Sequence, residues 1–127
     1  WYQNFPLFIF SFALVYFNDI LVGAIACREE VKDDVKCLYI LTLGVLKPYR
    51  RYHIGSKMLE EILKEAKKDK TLQYVYLHIQ INNNSGMKFY EKFGFYNKEK
   101  IEGYYTDIEP KDCYLMRLDL QEEAKKE

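Results

Sequence analysis

Apolar and polar positions change period several times along this chain, and each change marks an element. Residues 8–17 and 20–28 are two dense apolar runs separated by Asn18-Asp19, a pair that tolerates positive φ and suits a tight hairpin turn. The pattern predicts an antiparallel hairpin there. Residues 29–36 are almost all charged and are expected to form an exposed loop. Residues 37–46 are rich in Leu, Ile, Thr and Tyr and read as the next strand. From about Gly55 the period becomes helical. Met58, Leu59, Ile62, Leu63 and Ala66 form one apolar stripe, and Glu60, Glu61, Lys64, Glu65, Lys67 and Lys68 form the opposite, solvated face.

Residues 72–81 return to strict alternation. Val75, Leu77, Ile79 and Ile81 point one way; Tyr74, Tyr76, His78 and Gln80 point the other. Strand, helix and strand at this spacing predict a parallel βαβ unit with a right-handed crossover. Residues 82–85 form a polar turn able to cap a second helix, which runs to about Phe93 and is stopped by Gly94. Strands at 95–101 and 112–120 complete the sheet, with 103–111 as the connecting loop and 121–127 as a polar tail. The expected architecture is α/β, a mixed and mostly antiparallel sheet in a single domain spanning 1–127.

Composition narrows the classes. Lys+Arg and Asp+Glu balance at nineteen each, which argues against a general nucleic-acid binder. The apolar opening run, residues 5–17, is too short for a transmembrane helix and lacks a basic leader, so neither a membrane span nor a signal peptide is expected. Three cysteines, Cys27, Cys37 and Cys113, are widely spaced and odd in number. They predict neither a disulfide framework nor a metal site, and a reducing, cytoplasmic setting.

The candidate chemistry lies between the 37–46 strand and the first helix. A strand, a loop carrying Arg50 and Arg51, and a helix N-terminus make an anion site. First-turn N–H groups have no intrahelical acceptor, the macrodipole adds positive charge, and Arg presents a fork of donors to phosphate. His78 is the best general base by chemistry, since its ordinary pKa lies near 6.5. Tyr39 sits in the strand before the predicted crossover and is the second candidate.

Three stretches stand together in order: Leu43-Gly44-Val45-Leu46, Arg50-Arg51-Tyr52-His53-Ile54-Gly55, and the run from Asn83 through Phe89-Tyr90 to Gly94-Phe95. This set resembles the GNAT superfamily of acetyl-CoA-dependent N-acetyltransferases. The loop matches Arg/Gln-x-x-Gly-x-Gly/Ala, and the late helix matches Asn-x-x-Ala-x-x-Phe-Tyr-x-x-x-Gly-Phe. Further segments, Leu38-Tyr39-Ile40, Tyr76-Leu77-His78, Tyr104-Tyr105 and Ile108-Glu109-Pro110, resemble the San-type branch of N-terminal acetyltransferases. The likeness covers about residues 16–120. Residues 1–15 diverge, and the strand and two helices that open that fold are expected to be missing or truncated.

The resemblance implies acetyl transfer from acetyl-CoA to the α-amine of peptide or nascent-chain N-termini, with Met followed by an apolar residue preferred. It implies Tyr39 and His78 as a water-linked base system and Tyr90 as the group beside the departing sulfur. Leu43, Gly44, Val45, Arg50, Arg51, Tyr52, His53, Ile54, Gly55, Ser56, Asn83, Ser85 and Tyr90 would hold acetyl-CoA. Leu41, His78, Tyr104, Tyr105 and Ile108 would line the peptide side. No metal is implied. A NatA-type auxiliary complex at the ribosome is among the implied partners. A lysine or small-amine acetyltransferase and a degenerate acyl-CoA-binding scaffold remain alternatives. His53 is the main departure, standing where the loop motif has its first Gly. Its side chain either weakens the grip on pyrophosphate or points outward as tolerated variation.

Overall fold

The computed structural model describes residues 9–17 and 19–121, the side chains of 9–15, 17 and 51 excepted. The divergent start 1–8, Asn18 of the predicted turn and tail residues 122–127 lie outside the described residues, as does the Arg51 side chain. The chain falls into two units, residues 1–72 and 73–127.

The first unit is an antiparallel meander of β1 (Ile9–Phe17), β2 (Ile20–Lys32) and β3 (Val35–Val45), followed by a 3-10 helix (Lys47–Tyr52) and α1 (Ile54–Lys68). The charged stretch expected as a loop is instead the tip of the β2–β3 hairpin. Asp33 and Asp34 both take positive φ, 51° and 64°, which is the left-handed pattern that two-residue hairpins favour. The flanking charges pair both along β2 and across to β3. Arg28 Nε donates to Glu30 Oε2 at 2.6 Å, and Lys36 Nζ lies 2.8 Å from Glu29 Oε1. Lys36 also reaches Asp69 Oδ2 at 3.4 Å and Thr71 Oγ1 at 3.1 Å, tying the start of β3 to the end of α1.

The sequence stripe Met58, Leu59, Ile62, Leu63 and Ala66 is the buried face of α1. It meets a core of Val22, Ile25, Ala26, Cys27, Cys37, Leu38 and Ile40 from β2 and β3. Gly23 makes room for a close approach here, since a Cβ on it would lie 3.0 Å from Ile54 Cγ2 and 3.2 Å from Met58 Cε. The first turn of α1 therefore rests against β2. Cys27, Cys37 and Cys113 are buried cysteines with no disulfide between them, and burial pushes the Cys27 thiol up to about 12. That thiol stays protonated and unreactive near neutral pH.

The second unit holds β4 (Leu72–Gln80, its first residue shared with the preceding unit), α2 (Asn84–Glu91), β5 (Tyr96–Ile101) and β6 (Cys113–Asp119). β6 is central, antiparallel to both β4 and β5. Alternation on β4 follows the sequence pattern, with Val75, Leu77 and Ile79 buried and His78 and Gln80 half-buried; Tyr76 is buried as well. α2 ends at Glu91, short of Phe93, and Gly94 takes φ 100° in the turn that follows. Among the described residues no helix is long and apolar enough to cross a membrane.

Candidate acetyl-transfer site

In the first unit the site grows out of a β-bulge. Ala26 pairs with Thr42 while Cys27 pairs with Ile40, so Leu41 is the extra residue on β3. Beyond it, Leu46 N donates to Val22 O at 2.8 Å, closing the β2–β3 ladder. Strand N–H groups alternate in direction, so the N–H of Gly44 also faces β2, while those of Leu43 and Val45 face the opposite edge. Leu43 and Val45 are thus the better placed donors of the three residues the sequence singled out. Gly44 itself is exposed, and among the described atoms a Cβ there would meet nothing within 4 Å.

The loop after β3 is a 3-10 helix with Pro48 in its first turn, where a missing N–H costs nothing. Arg50 Nε donates to Val45 O at 3.0 Å. That bond uses one of the five guanidinium donors and clips the loop to the end of β3. His53 joins the 3-10 helix to α1 in the left-handed conformation, φ 60° and ψ 28°, with an exposed ring. Its carbonyl accepts the first α1 bond, from Lys57 N at 3.1 Å. Among the described residues no side chain caps α1, and its first turn holds no acidic residue. The N–H groups of Ile54, Gly55 and Ser56 therefore open onto a helix terminus free of competing carboxylates, which fits an anion such as a pyrophosphate. Tyr52 is 53% exposed beside this terminus.

Tyr39 is the cross-strand partner of Arg28, whose guanidinium carbon lies 5.2 Å from the centre of its ring. Arg28 is in turn fixed by Glu30. Sequence reasoning missed Arg28. The signal was present in Asp33-Asp34, because a hairpin centred on that pair places Arg28 opposite Tyr39.

In the second unit His78 is brought together with the predicted substrate loop. Its ring stacks on Tyr104 at 4.4 Å between centroids and 22° between planes, and meets the edge of Tyr76 at 5.9 Å. Tyr105 packs edge-on against Tyr104 at 5.0 Å; burial raises the pKa of its phenol, with Cys113 and Tyr104 adding to the effect. Ile108 is 46% exposed on the same loop. Asn83 is the N-cap of α2, its carboxamide oxygen accepting from Gly86 N at 2.9 Å and, more weakly, from Ser85 Oγ at 3.4 Å. A Cβ on Gly86 would collide with that oxygen at 2.8 Å. Both polar side chains predicted to bind the ligand thus serve the cap. Tyr90 is half-buried between Phe89 and Phe95, at 5.1 and 5.5 Å.

Comparison with known proteins places these features in a family. The model of the acetyltransferase (GNAT) family matches residues 1–95. The chain belongs to this family. It is 49% identical to N-alpha-acetyltransferase 50 of Danio rerio over 85% of this chain and 64% of that protein. It is 46% identical to the probable N-acetyltransferase san of Drosophila melanogaster, over 87% of this chain and 60% of that one. The chain thus spans somewhat under two thirds of each relative. Among solved structures it matches Arabidopsis thaliana Naa50 in complex with the bisubstrate analogue CoA-Ac-MVNAL, at 48% identity and a TM-score of 0.78, over 84% of this chain and 71% of that one. The expected α/β fold is therefore the GNAT fold.

Proposed function

We propose that this chain transfers an acetyl group from acetyl-CoA to the α-amino group of peptide N-termini. The observation that carries this reading is the 48% identity to an Arabidopsis Naa50 bound to an analogue that joins CoA to a peptide beginning Met-Val. The acid-free, uncapped start of α1 supports an anionic cosubstrate, and the aromatic loop beside His78 supports an apolar first peptide residue.

Acetyl-CoA supplies the acetyl group as a thioester. Ile54, Gly55, Ser56 and Arg50 would hold its pyrophosphate, with the Leu43 and Val45 N–H groups donating to its carbonyl oxygen. A free α-amine has a pKa of about 7.7–8.0, so it is largely ammonium near neutral pH and must lose a proton before its nitrogen can attack. His78 takes that proton, directly or through one water, and passes it to solvent. On family likeness, Tyr39 would share that proton path. The nitrogen–carbon bond forms and the carbon–sulfur bond breaks. Tyr90 protonates the departing sulfur, and the second proton lost by nitrogen restores the phenol.

Tyr104, Tyr105, Ile108 and Leu41 would grip the first two peptide residues, favouring Met followed by an apolar residue. A cytoplasmic setting and a NatA-type auxiliary complex at the ribosome belong to the same reading, on family likeness alone. The test is acetyl transfer to peptides that vary at their first two positions, with a lysine-only peptide as control and His78→Ala in parallel. Transfer to the lysine side chain alone, or full turnover by His78→Ala, refutes the reading.

A further inference from the structure

His78 is assigned above as the base, and its aim is not set by its own rotamer. The second side-chain torsion of histidine is broad, so packing must set the plane in which its nitrogens are presented to the reacting amine. The structure supplies that packing from two sides. Tyr76, 3% exposed, presents its neighbouring face of β4, with its ring nearly perpendicular to the imidazole. Tyr104 lies almost flat on the imidazole from the loop that follows β5.

That loop is anchored. Gly103 N donates to Asp112 Oδ1 at 2.9 Å, Tyr105 N donates to Lys111 O at 2.9 Å, and Gln80 Nε2 donates to Pro110 O at 2.8 Å. Ile81 N completes the link through Asp112 O at 3.2 Å. Gly103 and Tyr105, which bracket Tyr104, are thus tied through residues 110–112 to Gln80 and Ile81, two and three residues from His78. Tyr105 then stands edge-on to Tyr104 and limits its swing.

We propose that Tyr104 is a positioning residue for His78, acting through the face of its ring and not through its hydroxyl. This rests on His78 being the base. Gripping the peptide is a separate role, and the two are separable because the stack needs only an aromatic plane. A loop that holds both substrate and base would align them together, and misalignment of a proton acceptor lowers turnover more than affinity.

The test uses acetyl-CoA and a peptide beginning Met-Val with three variants, Tyr104→Phe, Tyr104→Leu and His78→Ala. Tyr104→Phe, which keeps the aromatic plane, retains a kcat at least about fivefold above that of Tyr104→Leu. Tyr104→Leu lowers kcat at least tenfold, the scale of a misplaced proton acceptor, in addition to any rise in peptide KM from the lost grip. The chain has two histidines, so imidazole proton resonances are readily followed, and His53→Gly identifies the other signal. Loss of the stack in Tyr104→Leu moves the His78 ring protons downfield; in Tyr104→Phe they stay in place. A Tyr104→Leu enzyme with raised KM and unchanged kcat overturns the proposal and leaves Tyr104 as a peptide contact. Loss of kcat in Tyr104→Phe equal to that in Tyr104→Leu overturns it too, since the hydroxyl would then carry the role. Full kcat in His78→Ala overturns the base assignment as well, which separates the two failures.

Discussion

His53 links two helices in a backbone conformation that most side chains avoid. With φ 60° and ψ 28° it lies in the left-handed region, and its ring is exposed with no capping bond. A left-handed L-residue costs roughly 1–2 kcal/mol, and His is one of the residues that bears it best, so the lower value of about 1 kcal/mol applies. Replacement by Gly removes that strain. It also frees the unfolded chain, which takes back roughly 0.4–1 kcal/mol. The expected net gain for His53→Gly is therefore small, between 0 and about 0.6 kcal/mol. For a chain of this size that is a rise of at most about 2 °C in Tm. His53→Ala bears the full left-handed strain without the polar ring and falls below the parent. His53→Val, branched at Cβ, falls further.

Cofactor binding separates from stability. The strained conformation is already present without ligand, so relieving it alters free and bound forms alike. Acetyl-CoA affinity in His53→Gly should stay within about threefold of the parent, or roughly 0.7 kcal/mol. Thermal melts by circular dichroism and titration calorimetry read the two quantities independently. Equal melting temperatures for the Gly and Val variants would refute the backbone argument. Tenfold tighter binding in His53→Gly would mean the ring obstructs the pyrophosphate; tenfold weaker binding would mean it donates to phosphate. Either result overturns the outward-pointing ring.

Other positions test other links. Gly44→Val should not lower Tm, since the site is open and Val favours strands, yet it should weaken acetyl-CoA binding at least tenfold by covering the Leu43–Val45 surface; unchanged calorimetric affinity would remove β3 from the cosubstrate site. Asp33-Asp34→Asn-Gly should raise the urea midpoint by up to about 1 kcal/mol of stability, because both positions are left-handed and Gly removes the strain at the second. Hydrogen bonds from Thr71, and then Lys36, lower the Asp69 pKa. A carboxylate depressed in the folded state stabilises above its unfolded pKa of about 3.9 and loses that contribution as pH falls through its folded value. Asp69→Asn should therefore be less stable than the parent at pH 6, with the gap closing below about pH 4 in urea titrations; a constant gap refutes the linkage.

What the sequence made legible follows the range of the interactions. The α1 stripe, the alternation on β4 and the polar cap of α2 are local patterns, and the structure keeps each of them. Residues 29–36 failed as a loop because their charge suggested solvent, whereas a hairpin can satisfy charge by pairing it across strands, as Lys36 does with Glu29. That one misreading also hid Arg28, whose relation to Tyr39 exists only in the hairpin register. Asn83 and Ser85 carry a local task as well. Their place in a recognised motif suggested a ligand; a helix N-terminus also needs an acceptor, and the Asn83 oxygen serves the Gly86 N–H. His53 joins both lessons. The motif identified it as a departure, but only the backbone showed what the departure entails: a left-handed junction that an exposed imidazole occupies while the helix N–H groups beyond it stay uncapped. Motif likeness names the position, and the dihedral decides which substitutions it accepts.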